Sequence, residues 1–169
     1  TNMMFEQDNA IINEILKFKN VLFTISADST ADRFNYIRRG ADWQKFLTNL
    51  TWLQQSHAKF RLNSVFFIAS ALYLTDTQKF FHNNFGITDF TINQVLMDHT
   101  VIKCRNLSHS LKEDCKTKIL AHKQEFADNA NLCNELDACL QELNCDKADD
   151  YTSFFTQFPG NWQEVFPEL

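Results

Sequence analysis

Ser26 and Asp28 stand two residues apart at the end of a short apolar run, and the arginine pair Arg38–Arg39 follows ten residues later. Alternation along an extended chain puts Ser26 and Asp28 on one side. A carboxylate that accepts two hydroxyl protons is a common way to hold a ribose, and a serine beside it adds a donor or an acceptor. A guanidinium forks onto a carboxylate. The four residues together suit a ligand with a sugar at one end and a carboxylate at the other. The competing reading is a loop turn opened by Asp28 and Ser29, with Arg38 and Arg39 paired to acids such as Asp32.

Position decides how much weight that corner deserves, because parallel α/β architectures gather ligands at the carboxyl ends of strands. Val21–Ile25 is apolar on both faces and reads as a parallel strand covered by helices on both sides. Two more strand candidates follow at 61–71 and 87–97. Helical periodicity marks 5–18 (Ile11, Ile12, Ile15 and Leu16 on one face) and the stretch with Trp43, Phe46, Leu47, Leu50 and Leu53, capped by Asp42. A short helix opens at Thr75 or Asp76 and closes at Gly86. Strand and helix thus alternate through 1–108, the pattern of parallel β-α units. From 109 to 169 the chain reads as a helical extension on the same domain. Ser110-x-x-Glu113 reads as a capping box for a helix to about 126. Leu132, Leu136, Leu140 and Leu143 line another helix, and Asp149–Asp150 open a third. With no strand ahead of it, the Val21–Ile25 strand or a neighbour is expected to leave an uncovered sheet edge, which invites pairing.

The chain has 169 residues with 17 Phe against 3 Gly and 2 Pro, a composition of long regular elements joined by short loops. A net charge of −5 speaks against a broad nucleic-acid footprint. No apolar stretch is long enough to span a membrane, and none reads as a signal peptide. The five cysteines, 104, 115, 133, 139 and 145, contain no C-x-x-C. They point to free thiols in a reducing compartment, hence a cytoplasmic location. His57, His82, His99, His109 and His122 show no paired ligand spacing and read as surface or capping residues. Asp98–His99, after the third strand, could face a ligand. Lys112, Lys116, Lys118 and Lys123 read as a solvated helix face.

The stretch "NVLFTISADSTADRFNYIRRGADWQKFLTNLTWL" resembles the fourth strand, loop and helix of radical S-adenosylmethionine enzymes, with their serine-x-aspartate and "Y-I-R-x-G-x-x-W". The nearest resemblance is to the twitch-type members of phages and marine bacteria. "TN" at 1 and 2 resembles the end of the family's third strand. Residues 93–113 resemble the segment after the sixth, and "FTQFPGNWQEVFPEL" resembles the C-terminal motif. The resemblance implies the C-terminal half of a partial (β/α)6 TIM-like barrel. It implies that Ser26 and Asp28 hold the ribose of S-adenosylmethionine and that Arg38, or Arg39 in its place, meets the carboxylate. Phe67, Ile68 and Asn93 to Val95 fall where the family packs adenine. The family's C-x-x-x-C-x-x-C, which holds a 4Fe-4S cluster, and its Gly-Gly-Glu are missing. Gln157 to Gly160 replace an Asp and an Arg-Gly. The chain begins at Thr1, where the family's third strand would finish, so the resemblance implies that the cluster belongs to a longer parent, with the missing N-terminal half, a second copy or a protein partner at the sheet edge. On these readings the chain supplies cofactor contacts and the substrate side of a radical enzyme; the alternative is a non-catalytic remnant or protein-interaction module.

Overall fold

The computed structural model describes residues 1–95, 100–147, 149–155 and 161–169. Three strands, β1 (Leu22–Ser26), β2 (Lys59–Phe66) and β3 (Asp89–Gln94), form one sheet in the order β1-β2-β3 with both pairings parallel. Between β1 and β2 lie α2 (Ala31–Ile37) and α3 (Trp43–Gln54); α4 (Leu74–Phe85) connects β2 to β3. The chain opens with α1 (Ala10–Ile15) and ends with α5 (His109–Glu125), α6 (Ala130–Asn144), α7 (Thr152–Phe155) and α8 (Trp162–Val165). This is an α/β fold, as the alternation of patterns predicts.

Among the described residues the helices cover one face only. Phe23 and Ile25 of β1, Leu62, Ser64 and Phe66 of β2, and Phe90 and Ile92 of β3 are buried. The register places Ile25, Leu62 and Phe90 in one row. Alternate residues point the other way, and there Leu22, Thr24, Lys59, Asp89 and Asn93 are exposed, with Ser26, Arg61, Asn63, Val65 and Thr91 half-buried. The expectation that β1 is covered on both sides is therefore corrected. Its apolar run misleads because Leu22 is an apolar residue on the open face, 48% exposed.

Aromatic packing dominates the covered side. Phe46 of α3 lies 4.9 Å from the ring of Phe34, 5.4 Å from Trp43 and 5.8 Å from Phe81, tying α2, α3 and α4 together. Each such pair adds to the burial of large apolar surfaces. Asp42 caps α3 as expected, accepting the Lys45 N–H at 3.0 Å. Gly86 closes α4 with φ of 64°, where a side chain would strain the backbone.

Both sheet edges are partly occupied. The Thr1 ammonium donates to Thr24 O at 2.7 Å, and the Ser26 N–H donates to Thr1 O at 2.8 Å. This is the hydrogen-bond pattern of a parallel neighbour opposite Ile25. The expected bare edge of β1 is thus taken at its carboxyl half. On the far side, the Glu135 side chain of α6 accepts the Ile92 N–H at 2.5 Å.

Several local expectations are corrected. The segment before α3 holds the helix α2 rather than a loop. α1 is shorter than 5–18 and buries no residue, and Ile11 is 70% exposed. The second strand ends at Phe66, because the Ser70 hydroxyl accepts the Phe67 N–H and turns the chain into a short 3-10 segment. α5 opens at the Ser108 cap, which accepts the Leu111 N–H at 3.3 Å. Ser110 and Glu113 therefore form no capping box, and Glu113 pairs with Lys116 instead.

Candidate functional site

The carboxyl end of β1 carries the predicted constellation, and the fold sorts its members into different roles. Ser26 is half-buried on the open face, in one row with Asn63 and Thr91. Asp28 is only 4% exposed. One of its oxygens accepts the Val65 N–H at 2.8 Å, the other the Arg38 guanidinium at 2.8 Å. The ladder explains the first contact. Odd-numbered residues of β1 bond to β2, and Asp28 takes over with its side chain where the backbone of β1 has turned away. Burial raises the Asp28 carboxyl above its ordinary range, against the opposing pull of Arg38 and the Val65 N–H.

Asp28 is thus a buried structural acceptor, not a carboxylate lying free for a sugar. Arg38 is brought to Asp28 rather than to open solvent. Arg39 is exposed and makes no ion pair among the described residues. The backbone just beyond is unusual, since Ala31 has φ of 52°. That left-handed geometry costs a residue with a side chain about 1 kcal/mol and is concentrated near binding sites.

A second group at the same end of the sheet escapes sequence reasoning. Arg33 of α2 donates to the Tyr73 hydroxyl at 2.8 Å and lies over that ring, 3.8 Å from its centroid. Glu168 approaches Arg33 at 3.8 Å, and Phe166 packs edge-on against Tyr36 at 5.6 Å. Burial, then Glu168, raises the Tyr73 phenol. The C-terminal residues are therefore anchored on α2, close to the loop that holds Asp28 and Arg38. Only the Tyr and Arg types hinted at this; their separation of 40 residues carries no signal.

The open face is lined by hydroxyls, amides and compensated charge. Arg61 donates to Asp89 at 2.9 Å, and the Asn93 amide donates to Asn63 at 2.5 Å. Lys59, Arg61 and Asn63 alternate with Phe60, Leu62 and Ser64, a period-two pattern that would have revealed the one-sided cover. A polar cleft of about 600 Å³ adjoins this face at the amino end of β3, lined by Arg61, Asp89, Asn131 and Asn134 among others.

Of the residues assigned to adenine packing, Phe67 is half-buried and Ile68 fully buried beyond β2, while Asn93 faces the open side. Asp98–His99 and residues 157–160 lie outside the described residues. Cys104, Cys115 and Cys139 are buried. Burial pushes the Cys115 and Cys139 thiols up to about 12 and the Cys104 thiol well above its usual range. Such thiols stay protonated and are poor metal ligands. Among the described residues no group of three His, Cys, Asp or Glu side chains is placed to hold a metal ion. The described residues do not fit an iron–sulfur cluster.

Compared with protein-family models, with curated proteins and with solved structures, the chain matches none. Among the described residues no helix is long and apolar enough to cross a membrane.

Proposed function

We propose that the chain is a ligand-binding α/β module whose ligand lies over the open sheet face at the carboxyl ends of β1 and β2. The ligand that the sequence resemblance names is S-adenosylmethionine. The observation that carries the reading is the one-sided cover of an all-parallel sheet, with Ser26 and Asn63 presented side by side on the uncovered face. All-parallel sheets normally bury both faces, so an open polar one calls for an occupant.

In this reading Ser26 meets the ligand directly and Arg39 offers a guanidinium to its carboxylate. Asp28 is a positioning residue that holds Arg38 and the end of β2. S-adenosylmethionine would bring an electrophilic sulfonium. The radical chemistry of the family belongs to a cluster-bearing parent protein, and no step of it is assigned to these residues.

Isothermal calorimetry with S-adenosylmethionine, adenosine and methionine tests the reading. Loss of one neutral hydrogen bond in Ser26→Ala should weaken S-adenosylmethionine binding roughly 2- to 12-fold. No binding heat from any of the three ligands, or identical affinities in wild type and Ser26→Ala, would reject it.

A second reading is favoured by a different observation. Ile11, Phe18 and Leu22, exposed at 70%, 68% and 48%, all fall in the first 22 residues of the chain. Large apolar side chains left in water invite association, so a protein partner or a second copy that covers them accounts for their exposure. Light scattering across a concentration series should then show self-association that Phe18→Ser with Leu22→Thr abolishes. A monomer at every concentration removes the second-copy form of this reading.

A further inference from the structure

The contact between α4 and α5 carries polar groups that no backbone or side chain among the described residues satisfies. Its register is set by three contacts. Lys118 reaches Asp76 at 3.1 Å, Lys79 pairs with Glu125 at 2.5 Å, and the His82 ring meets Phe126 at 5.1 Å. On α5, His122 lies one turn beyond Lys118 and one turn before Phe126, so it shares their face. On α4, Gln78 lies one turn before His82. Gln78 shares the His82 side of α4, His122 lies on the α5 side of the contact, and both are fully buried.

Neither is satisfied. Both polar atoms of the Gln78 amide, Nδ1 of His82 and both ring nitrogens of His122 are buried without a hydrogen-bond partner. Native interiors pair about nine in ten of such atoms, so five in one contact point to internal water. A cleft of about 590 Å³, lined by His82, Glu125 and Phe126, opens beside the contact and gives water a way in. The expectation that His122 is a surface or capping residue is corrected here. Its ring packs on Phe126 at 4.6 Å.

We propose that this seam is an acid-sensitive joint: Gln78, His82 and His122 hold internal water between α4 and α5 while the His122 imidazole is neutral, and its protonation parts the two helices. The surroundings disfavour a positive ring. Lys79 and His82 face it from α4, opposed by Asp76 on α4 and Glu125 on its own helix. Lys118 is engaged by Asp76 and by the Leu72 carbonyl of the 3-10 turn. From α6, Asp137 is taken by Lys123. Burial first, then Lys79, brings the His122 imidazole down to about 4 from its ordinary 6.5.

The sign follows from that depression. The folded state binds the His122 proton more weakly than the unfolded chain does. The contribution is complete above pH 6.5 and is lost as the pH falls toward 4. The Glu125 carboxyl is itself lowered by its hydrogen bond with Lys79, so the comparison with His122→Phe isolates the share of the loss that belongs to the histidine.

Histidine-ring NMR and hydrogen exchange on the full chain test the joint. The His122 resonance should titrate well below pH 5, and the Gln78 side-chain amide should show cross-peaks to water. Amide protection in α4 and α5, corrected for intrinsic exchange, should fall on the order of 10²-fold between pH 6.5 and 4. In His122→Phe, which keeps the ring contact with Phe126, that fall should vanish. A ring titrating near 6.5, a missing water contact at Gln78, or equal pH dependence in wild type and variant would overturn the proposal. If His122→Phe does not fold, the wild-type titration and exchange data decide it alone.

Discussion

At the residue scale, Asp28 shows how far a motif can be right in place and different in role. Spacing put it beside Ser26 at a strand end, and it is there. The fold then gives both its oxygens to protein donors. Asp28→Ala would leave the Val65 N–H without an acceptor and Arg38 without its counter-charge. The Arg38 side chain is 21% exposed and keeps part of its hydration, which moderates the loss. We expect Asp28→Ala to cost roughly 2–4 kcal/mol in urea unfolding. Asp28→Asn keeps an acceptor for Val65 and should cost less than half as much. The pH dependence gives a second handle. The folded Asp28 pKa is raised, so the stabilisation belongs to the protonated form and is lost as the pH rises through the raised value. The advantage of wild type over Asp28→Asn should therefore be larger at pH 3 than at pH 7. Equal differences at the two pH values would show that Arg38 and burial cancel, and a larger advantage at pH 7 that Arg38 outweighs burial.

At the element scale, what the sequence made legible and what it hid separate along physical lines. Long periodic segments were readable. α3 has Asp42 as its cap and Trp43, Phe46, Leu50 and Leu53 on its buried face, and α6 buries Leu132, Leu136 and Leu143 as its spacing predicts. Cys139 completes that stripe, and Leu140 lies at its margin. α2 was hidden because Phe34 is its only fully buried residue and Thr30 makes no side-chain cap. A helix held by one aromatic anchor has too little apolar periodicity to announce itself. The same limit applies to the site. Local spacing put Ser26, Asp28 and Arg38 at one strand end, where Arg38 pairs with Asp28. Nothing local could join Arg33 to Tyr73 and Glu168, or His82 to Phe126. Those neighbours are made by the packing of α2, α4, α5 and the C-terminal residues, and they exist only in three dimensions.

At the scale of the whole molecule, the asymmetry of the sheet is the property on which the functional reading depends, and it makes a quantitative demand. A parallel sheet with helices on one face should tolerate change on the other. Thr24 and Thr91 are on the open face, and Ile25 and Ile92 are opposite, under the helices. Thr24→Ala and Thr91→Ala should change stability by no more than about 0.5 kcal/mol, the range of ordinary surface substitutions. Ile25→Ala and Ile92→Ala remove buried methyl groups from a packed core and should each cost about 2–5 kcal/mol. Urea unfolding of the four variants measures both. If the threonines cost as much as the isoleucines, the open face is covered in solution and cannot receive a ligand. If they are neutral to stability but Thr24→Ala, Thr91→Ala or Ser26→Ala weakens binding of S-adenosylmethionine, the face is kept polar for an occupant rather than for the fold. That separation matters because a half-covered parallel sheet gives up apolar burial that a second layer of helices would supply, and binding at the open face is the return that would account for it.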